Sequence, residues 1–250
     1  MTERIGKLVK KTVVGGMYVS PVKTDYDRCD LFLSPIKMSA KRVCEYIRNQ
    51  EPLIVPESCF TGLITFDGSV EGDVFNRSGH KNFNIACEKF YNKPVDNLLT
   101  FEWQHSVGDF AKIINGGIVS IKDEIKKSIE KHKNDAEATQ FLKTQSDICD
   151  ALIDWASKCS EKALSFSKTV SNEKYKKNLE KLSRALKNVP KKSASSFYEA
   201  ILSLYVCYGL IPDSIGLIDR YLYPFYKSDI ESGALTKEEA SEYLQELFLM

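Results

Sequence analysis

His105 and Asp109 stand four residues apart in "QHSVGDFAKIINGGI". If both lie on one helix, that spacing puts them on the same face, where they could grip a substrate hydroxyl together. A neutral imidazole donates or accepts a hydrogen bond, and a carboxylate accepts. The same residues support a structural reading. Ser106-Val107-Gly108-Asp109 has the S-x-x-D form of a capping box, which would leave His105 as the residue before the cap. Ser214 has a comparable double reading, and its structural one is an N-cap, a role Asp213 fits as well. Asp219 and Arg220 are read as taking part in buried structural ion pairing with other parts of the fold, in preference to a catalytic role.

Sulfur chemistry is less well supported. The seven cysteines, Cys29, Cys44, Cys59, Cys87, Cys149, Cys159 and Cys207, are widely spaced and form no C-x-x-C or Cys/His cluster. Free buried thiols fit better than zinc or iron–sulfur ligation, so no metal is expected.

The elements that must position these residues are mostly helical. The chain has 250 residues, 43% hydrophobic and 28% charged, enough for a sizeable core. The formal net charge of +1 gives no reason to expect nucleic-acid binding. No apolar run has the roughly 20 residues of a membrane span, and no secretory signal opens the chain, so cytoplasm is the default. Residues 1–37, with Gly15-Gly16 and two prolines, read as an irregular segment. Helix is expected from Ser39 through Gln50. Short strands are expected at Leu53–Val55 and Leu63–Phe66, between prolines and glycines. Beyond Gly79 helices are expected at Asn82–Phe90, Asp109–His132, about 135–170, and Glu173–Leu186. In the third of these Phe141, Ile148, Leu152, Trp155 and Ala156 share one face. Ser196/Glu199 and Thr236/Glu239 are S/T-x-x-E capping boxes that start two more helices. The first of these, "AILSLYVCYGLI", is apolar nearly all round and needs neighbours on every side. The second ends in mid-stripe at Met250, with no cap.

Two segments carry a family resemblance. "NVPKKSASSFYEAILSLYVCYG" followed by "DSIGLIDRYLYPFYKSDIESGALTKEEASEYLQELFLM" resembles the glycyl radical enzymes, the pyruvate formate-lyase-like family. The matching positions are Pro190, Phe197, Glu199, Ala200, Ser203, Leu204, Ser214, Gly216, Asp219 and the run Tyr221–Tyr226. "QHSVGDFAKIINGGI" is similar to a segment of the dehydratase-type branch through His105, Asp109, Lys112 and Gly117. Two positions depart from the pattern: Leu217 stands where the family has arginine, and Gln104 where it has glycine.

The resemblance implies a fold that is mainly α with a few short strands, the N-terminal helical portion of a ten-stranded α/β barrel. Residues 1–250 would form the N-terminal part of one pyruvate formate-lyase-like domain. The barrel would be the partner of the apolar helix. His105, Asp109 and Ser214 would bind a small polar substrate, and no residue here would be catalytic. The family's radical glycine and thiyl cysteine lie downstream of the matched part, and none of the 13 glycines has an R-V-x-G-Y-like context. No cofactor is therefore expected to be bound. In the complete enzyme, a lyase or dehydratase, the glycyl radical would be installed by a separate S-adenosylmethionine iron–sulfur activating enzyme. The complete enzyme is expected to be a homodimer. Two alternatives remain open: a portion of a formate C-acetyltransferase-type enzyme, and a non-catalytic helical module that binds a protein partner.

Overall fold

The computed structural model describes residues 2–15, 33–62, 107–209 and 214–249. Within them lie eight helices: α1 (Glu3–Gly15), α2 (Pro35–Asn49), α3 (Phe110–Lys131), α4 (Ala136–Ser167), α5 (Glu173–Asn188), α6 (Phe197–Tyr208), α7 (Ile218–Glu231) and α8 (Lys237–Leu247). The expected short strands are not seen among the described residues. Leu53–Val55 contributes only a single antiparallel bridge, Ile54 to Thr61, because the chain turns back within a few residues. The expected strand at 63–66 and helix at 82–90 lie outside the described residues.

The expectation of an irregular segment over residues 1–37 is overturned at its start. Residues 3–15 form α1, whose Ile5 and Leu8 are buried. The stripe is short, and its support is tertiary: α1 packs on α8. Helix α2 also begins before Ser39, with Pro35 in its first turn, where a missing N–H costs nothing. The longest helix, α4, is N-capped by Asp135 and packs along α2, α3 and α5. Its Leu152, Trp155 and Ala156 are buried as expected, whereas Phe141 faces solvent.

Helix α6 is the central pillar. Ten of its residues are buried, and α3, α5, α7 and α8 all pack on it. The expectation that such a helix must wait for a barrel fails, because this chain's own helices surround it. Ser196 caps it by accepting from the Glu199 amide at 3.2 Å. Glu199 does not close the box on Ser196. Its carboxylate accepts from the Ser195 amide (2.9 Å) and from Asn188 (3.0 Å). Asp229 of α7 supplies a further cap, accepting from the Phe197 amide at 2.8 Å. Helix α8 opens with the full Thr236/Glu239 box. The open apolar surface lies elsewhere, in a groove of ≈810 Å³ lined by Ile5, Val9, Leu222, Tyr226, Leu244 and Phe248.

A second constraint joins α3 to the turn before α6. Gly117 interrupts α3 with φ 69° and ψ 170°. The break strips the Ile118 and Val119 amides of their helical partners. They donate instead to the carbonyls of Pro190 (2.9 Å) and Lys191 (3.0 Å), while the Ala194 amide donates to the Ile114 carbonyl (2.9 Å). The two motif positions Gly117 and Pro190 thus meet in space. A Cβ on Gly117 would lie 2.4 Å from the Lys192 carbonyl carbon.

The third constraint is a buried carboxylate. Glu246 of α8 is 0% exposed. It accepts from Ser58 Oγ (2.5 Å) and the Cys59 amide (2.8 Å), and it pairs with Arg4 of α1. Arg4 also donates to Glu242 at 2.9 Å and to the Glu57 carbonyl at 3.2 Å. Burial works against the Arg4 charge, but the carboxylates outweigh it and hold the guanidinium protonated. Tyr198 and Tyr205 of α6 donate to the carbonyls of Cys59 (2.6 Å) and Thr61 (3.0 Å), with Phe60 stacked on both rings. The 57–62 loop is thereby fastened to α1, α6 and α8.

Three outcomes follow. Gly117→Ala forces a glycine-only conformation on a residue with a side chain, a cost on the order of 1–3 kcal/mol before the backbone overlap is added. Urea unfolding of the variant should show a loss at the upper end of that range or beyond. Glu246→Ala takes from buried Arg4 its fully buried carboxylate, leaving only the part-exposed Glu242 as counter-charge, and should cost roughly 3–5 kcal/mol in the same measurement. Glu242 gives a pH dependence. Burial raises its pKa, but hydrogen bonds from Thr2 and Arg4 outweigh that, and the net shift is downward. A lowered folded-state pKa contributes stability above the unfolded carboxylate value of about 4.3, lost as pH falls through the folded value. Below pH ~4, amide exchange in α1 should accelerate, and Glu242→Gln should remove that component.

Candidate functional site

Two motif segments more than a hundred positions apart in sequence lie side by side. Val107 and Ser214 form an isolated parallel bridge. On one side, Asp109 is the N-cap of α3, its Oδ1 accepting from the Lys112 amide at 3.0 Å. The S-x-x-D reading, with Asp109 inside the helix, is therefore corrected: helix begins at Phe110, one residue after Asp109. The shared helical face for His105 and Asp109 goes with it, since Val107 is bridged and extended, not helical. Phe110, buried, anchors the start of α3 against Tyr208, with ring centroids 6.3 Å apart. Lys112 forms an exposed ion pair with Glu124 at 2.5 Å, on the far side of the Gly117 kink.

On the other side, Ser214 is not a helix cap. Helix α7 starts at Ile218 with Leu217 in the cap position. Ser214 Oγ accepts from the Gly216 amide at 3.3 Å, which leaves its own hydrogen for another acceptor. Gly216 adopts φ 69°, and a Cβ there would sit 2.7 Å from Val107 Cγ1. Tyr221, one turn into α7, donates its hydroxyl to the Ile215 carbonyl and so ties the loop to its helix. Burial, and behind it the Asp219 carboxylate, raises the Tyr221 pKa, which keeps that hydroxyl a donor.

The patch is open: Val107 is 55% and Leu217 58% exposed. Asp109 is exposed and Ser214 half-buried. His105 lies outside the described residues, two positions before the bridge. Of the three residues expected to bind substrate, the structure thus brings Asp109 and Ser214 to one junction. Asp219 and Arg220 are both exposed on α7, and the structural ion pairing expected of them is with other parts of the complete barrel. Pro224 lies on the exposed side of α7 as well.

The described thiols are packed away from this junction. Cys59 sits beneath Glu246, Cys159 is buried on α4, and Cys207 neighbours Cys149. Burial pushes the Cys207 thiol up to about 12 and the Cys44 thiol up to about 11. Thiols this hard to ionise are inert core groups. No group of His, Cys, Asp and Glu among the described residues could hold a metal ion. No helix among them is long and apolar enough to cross a membrane. Sequence reasoning missed the Arg4–Glu246–Ser58 cluster. Its one local signal is that Glu246 falls three residues after Tyr243, on the apolar face of α8.

Comparison with known proteins decides the family. The model of the pyruvate formate lyase-like family matches residues 93–250, more than half of the chain. The chain belongs to that family. Isethionate sulfite-lyase of Oleidesulfovibrio alaskensis is 28% identical over 159 residues, 58% of this chain and 19% of the relative. The 4-hydroxyphenylacetate decarboxylase glycyl radical subunit of Clostridium scatologenes is 29% identical over 112 residues, 42% of this chain and 12% of the relative. A solved structure concerned with 1,2-propanediol dehydration in Roseburia inulinivorans superposes with a TM-score of 0.77 at 19% identity, covering 100% of this chain and 37% of that one. The matched part spans only about a fifth of the length of the first curated relative, and at these identities the solved structure speaks for the fold. Both candidate segments lie inside the matched family region.

Because a Cβ at Gly216 would meet Val107 Cγ1, Gly216→Ala should strain the turn by about 1–3 kcal/mol and disturb residues 107–109 as well as its own loop. Val107→Ala removes the atom that a new Cβ would strike. In thermal unfolding, the double variant should recover part of the loss seen in Gly216→Ala alone.

Proposed function

We propose that this chain is the N-terminal helical portion of a glycyl radical lyase or dehydratase, and that the Val107–Ser214 junction is part of its substrate-binding wall. The observation that carries the reading is the bridge itself. The dehydratase-type segment and the Ser-x-Gly segment, read separately as motifs, are brought into one exposed patch. Asp109 offers an oxygen not used in capping, and Ser214 offers a hydroxyl hydrogen. His105 belongs to the same segment as Val107 and would add a group that donates or accepts. Together they would orient a small hydroxylated substrate of the kind named for the relatives, such as isethionate or 1,2-propanediol. Orientation of this sort lowers a barrier by several kcal/mol without any covalent step.

The glycyl radical would supply the hydrogen-abstraction chemistry from other parts of the complete enzyme. The buried thiols of Cys44, Cys59, Cys159 and Cys207 are core groups, and Gly117, Gly216 and Gly233 are turn or kink residues with positive φ. On this reading residues 1–250 form the N-terminal part of one domain, with a barrel, a homodimer and a separate activating enzyme belonging to the complete protein.

In the complete enzyme, His105→Ala and Ser214→Ala should each lower turnover of a small hydroxylated substrate at least tenfold. Radical content by electron paramagnetic resonance and the unfolding midpoint should stay near the parent's. Unchanged turnover in both variants would remove the junction from the substrate wall. The isolated chain, incubated anaerobically with an activating enzyme, should give no glycyl doublet; a doublet would show that it carries the radical itself.

A further inference from the structure

Helices α5 and α8 both pack on α6, and a cavity of ≈320 Å³ opens between them over Arg4 and Cys59. Its walls carry opposite charge. Helix α5 presents Lys174, Lys177 and Lys181, and α8 presents Glu238, Glu239 and Glu242. Glu242 is committed to Arg4, and one oxygen of Glu239 is committed to the Thr236 cap. Among the described residues no ion pair crosses the cavity, and none of the three lysines is paired with a carboxylate.

Lys181 is the innermost of the three. Its Nζ donates to the Tyr243 hydroxyl at 2.6 Å and lies over the rings of Tyr198 (4.5 Å) and Tyr243 (5.0 Å). An ammonium has three hydrogens, so this arrangement leaves donor capacity towards the cavity. Burial pushes the Lys181 pKa below its ordinary value, and the Glu239 and Asp229 carboxylates act only from a distance. An anionic group entering the cavity would relieve that penalty. A simple anion would also face the acidic wall of α8, and a simple cation would face the lysines. A molecule carrying both charges satisfies both walls. The volume is at the lower end of ligand pockets, which run from about 300 Å³ upwards.

We propose that the cavity between α5 and α8 binds a small α-amino-acid-like zwitterion, its carboxylate on Lys181 and Lys177 and its ammonium on Glu238 and Glu239. The site is separate from the Val107–Ser214 junction and does not depend on the function proposed for it.

The test is a nuclear magnetic resonance titration of the labelled 250-residue chain with L-serine, with acetate and ethanolamine as single-charge probes. Serine should give saturable shifts confined to residues 174–181 and 238–243. Its half-saturation concentration should be at least tenfold lower than for either single-charge probe. Lys181→Met, Lys177→Met and Glu238→Gln should each weaken serine binding at least fivefold, whereas Lys187→Met, exposed near the end of α5, should not. The two rim variants, Lys177→Met and Glu238→Gln, decide the matter if Lys181→Met disturbs the core. Absence of saturable shifts, equal binding of acetate or ethanolamine, or rim variants that bind serine as the parent does would each overturn the proposal.

Discussion

A charge with no access to water must find its partners within the protein, and Glu246 shows how much structure that requirement organises. Taking a carboxylate out of water costs several kcal/mol unless hydrogen bonds and a counter-charge replace the hydration shell. Here the replacements come from two remote parts of the chain: Arg4 from α1, and Ser58 and the Cys59 amide from the 57–62 loop. None of them can move away without exposing the rest to an unpaired buried charge. Helix α1, which has only a short apolar stripe, is held in register by this pairing. The loop, which has almost no regular structure of its own, gains a defined path.

Helix α6 converts that local lock into a global arrangement. It is apolar all round, so it is stable only where other helices cover every side. Two of its tyrosines, Tyr198 and Tyr205, grip the carbonyls of the same loop that Glu246 holds from the other direction. At its N-terminus it receives a cap from Asp229 of α7, and the turn before it fills the kink in α3. Thus α3 and α7, the helices that begin at the two halves of the candidate site, are both referenced to one pillar. The Val107–Ser214 bridge is the consequence. Two exposed segments that make few contacts of their own are placed together by buried elements behind them.

Glycine has a distinct task at each of two motif positions. At Gly117 it permits a helix break that another backbone segment repairs. At Gly216 it lets the Ser-x-Gly loop approach Val107 closely. In both cases a side chain would meet atoms closer than van der Waals contact allows. These glycines are requirements of packing between segments, which explains why they occur within family motifs that otherwise look like unrelated strings of residues.

Much of the architecture is legible in the sequence because it is decided over short distances. Apolar periodicity and the caps at Ser196 and Thr236 locate α3 to α6 and the start of α8 to within a few residues, since helix ends depend on residues three or four positions away. The family was legible for the same reason: its motifs are short ordered strings, and the matched region contains them. Other features were decided only by tertiary structure. That residues 3–15 are helical depends on α8, almost the whole chain away. The coverage of α6 depends on helices on both sides of it in sequence. The cap role of Asp109 in place of an interior one, and the Ser214 bridge in place of a helix cap, depend on each other across more than a hundred residues. Short-range patterns carry propensity, which is local. They do not carry which exposed segments will be neighbours, because that is set by how the buried faces of distant helices pack.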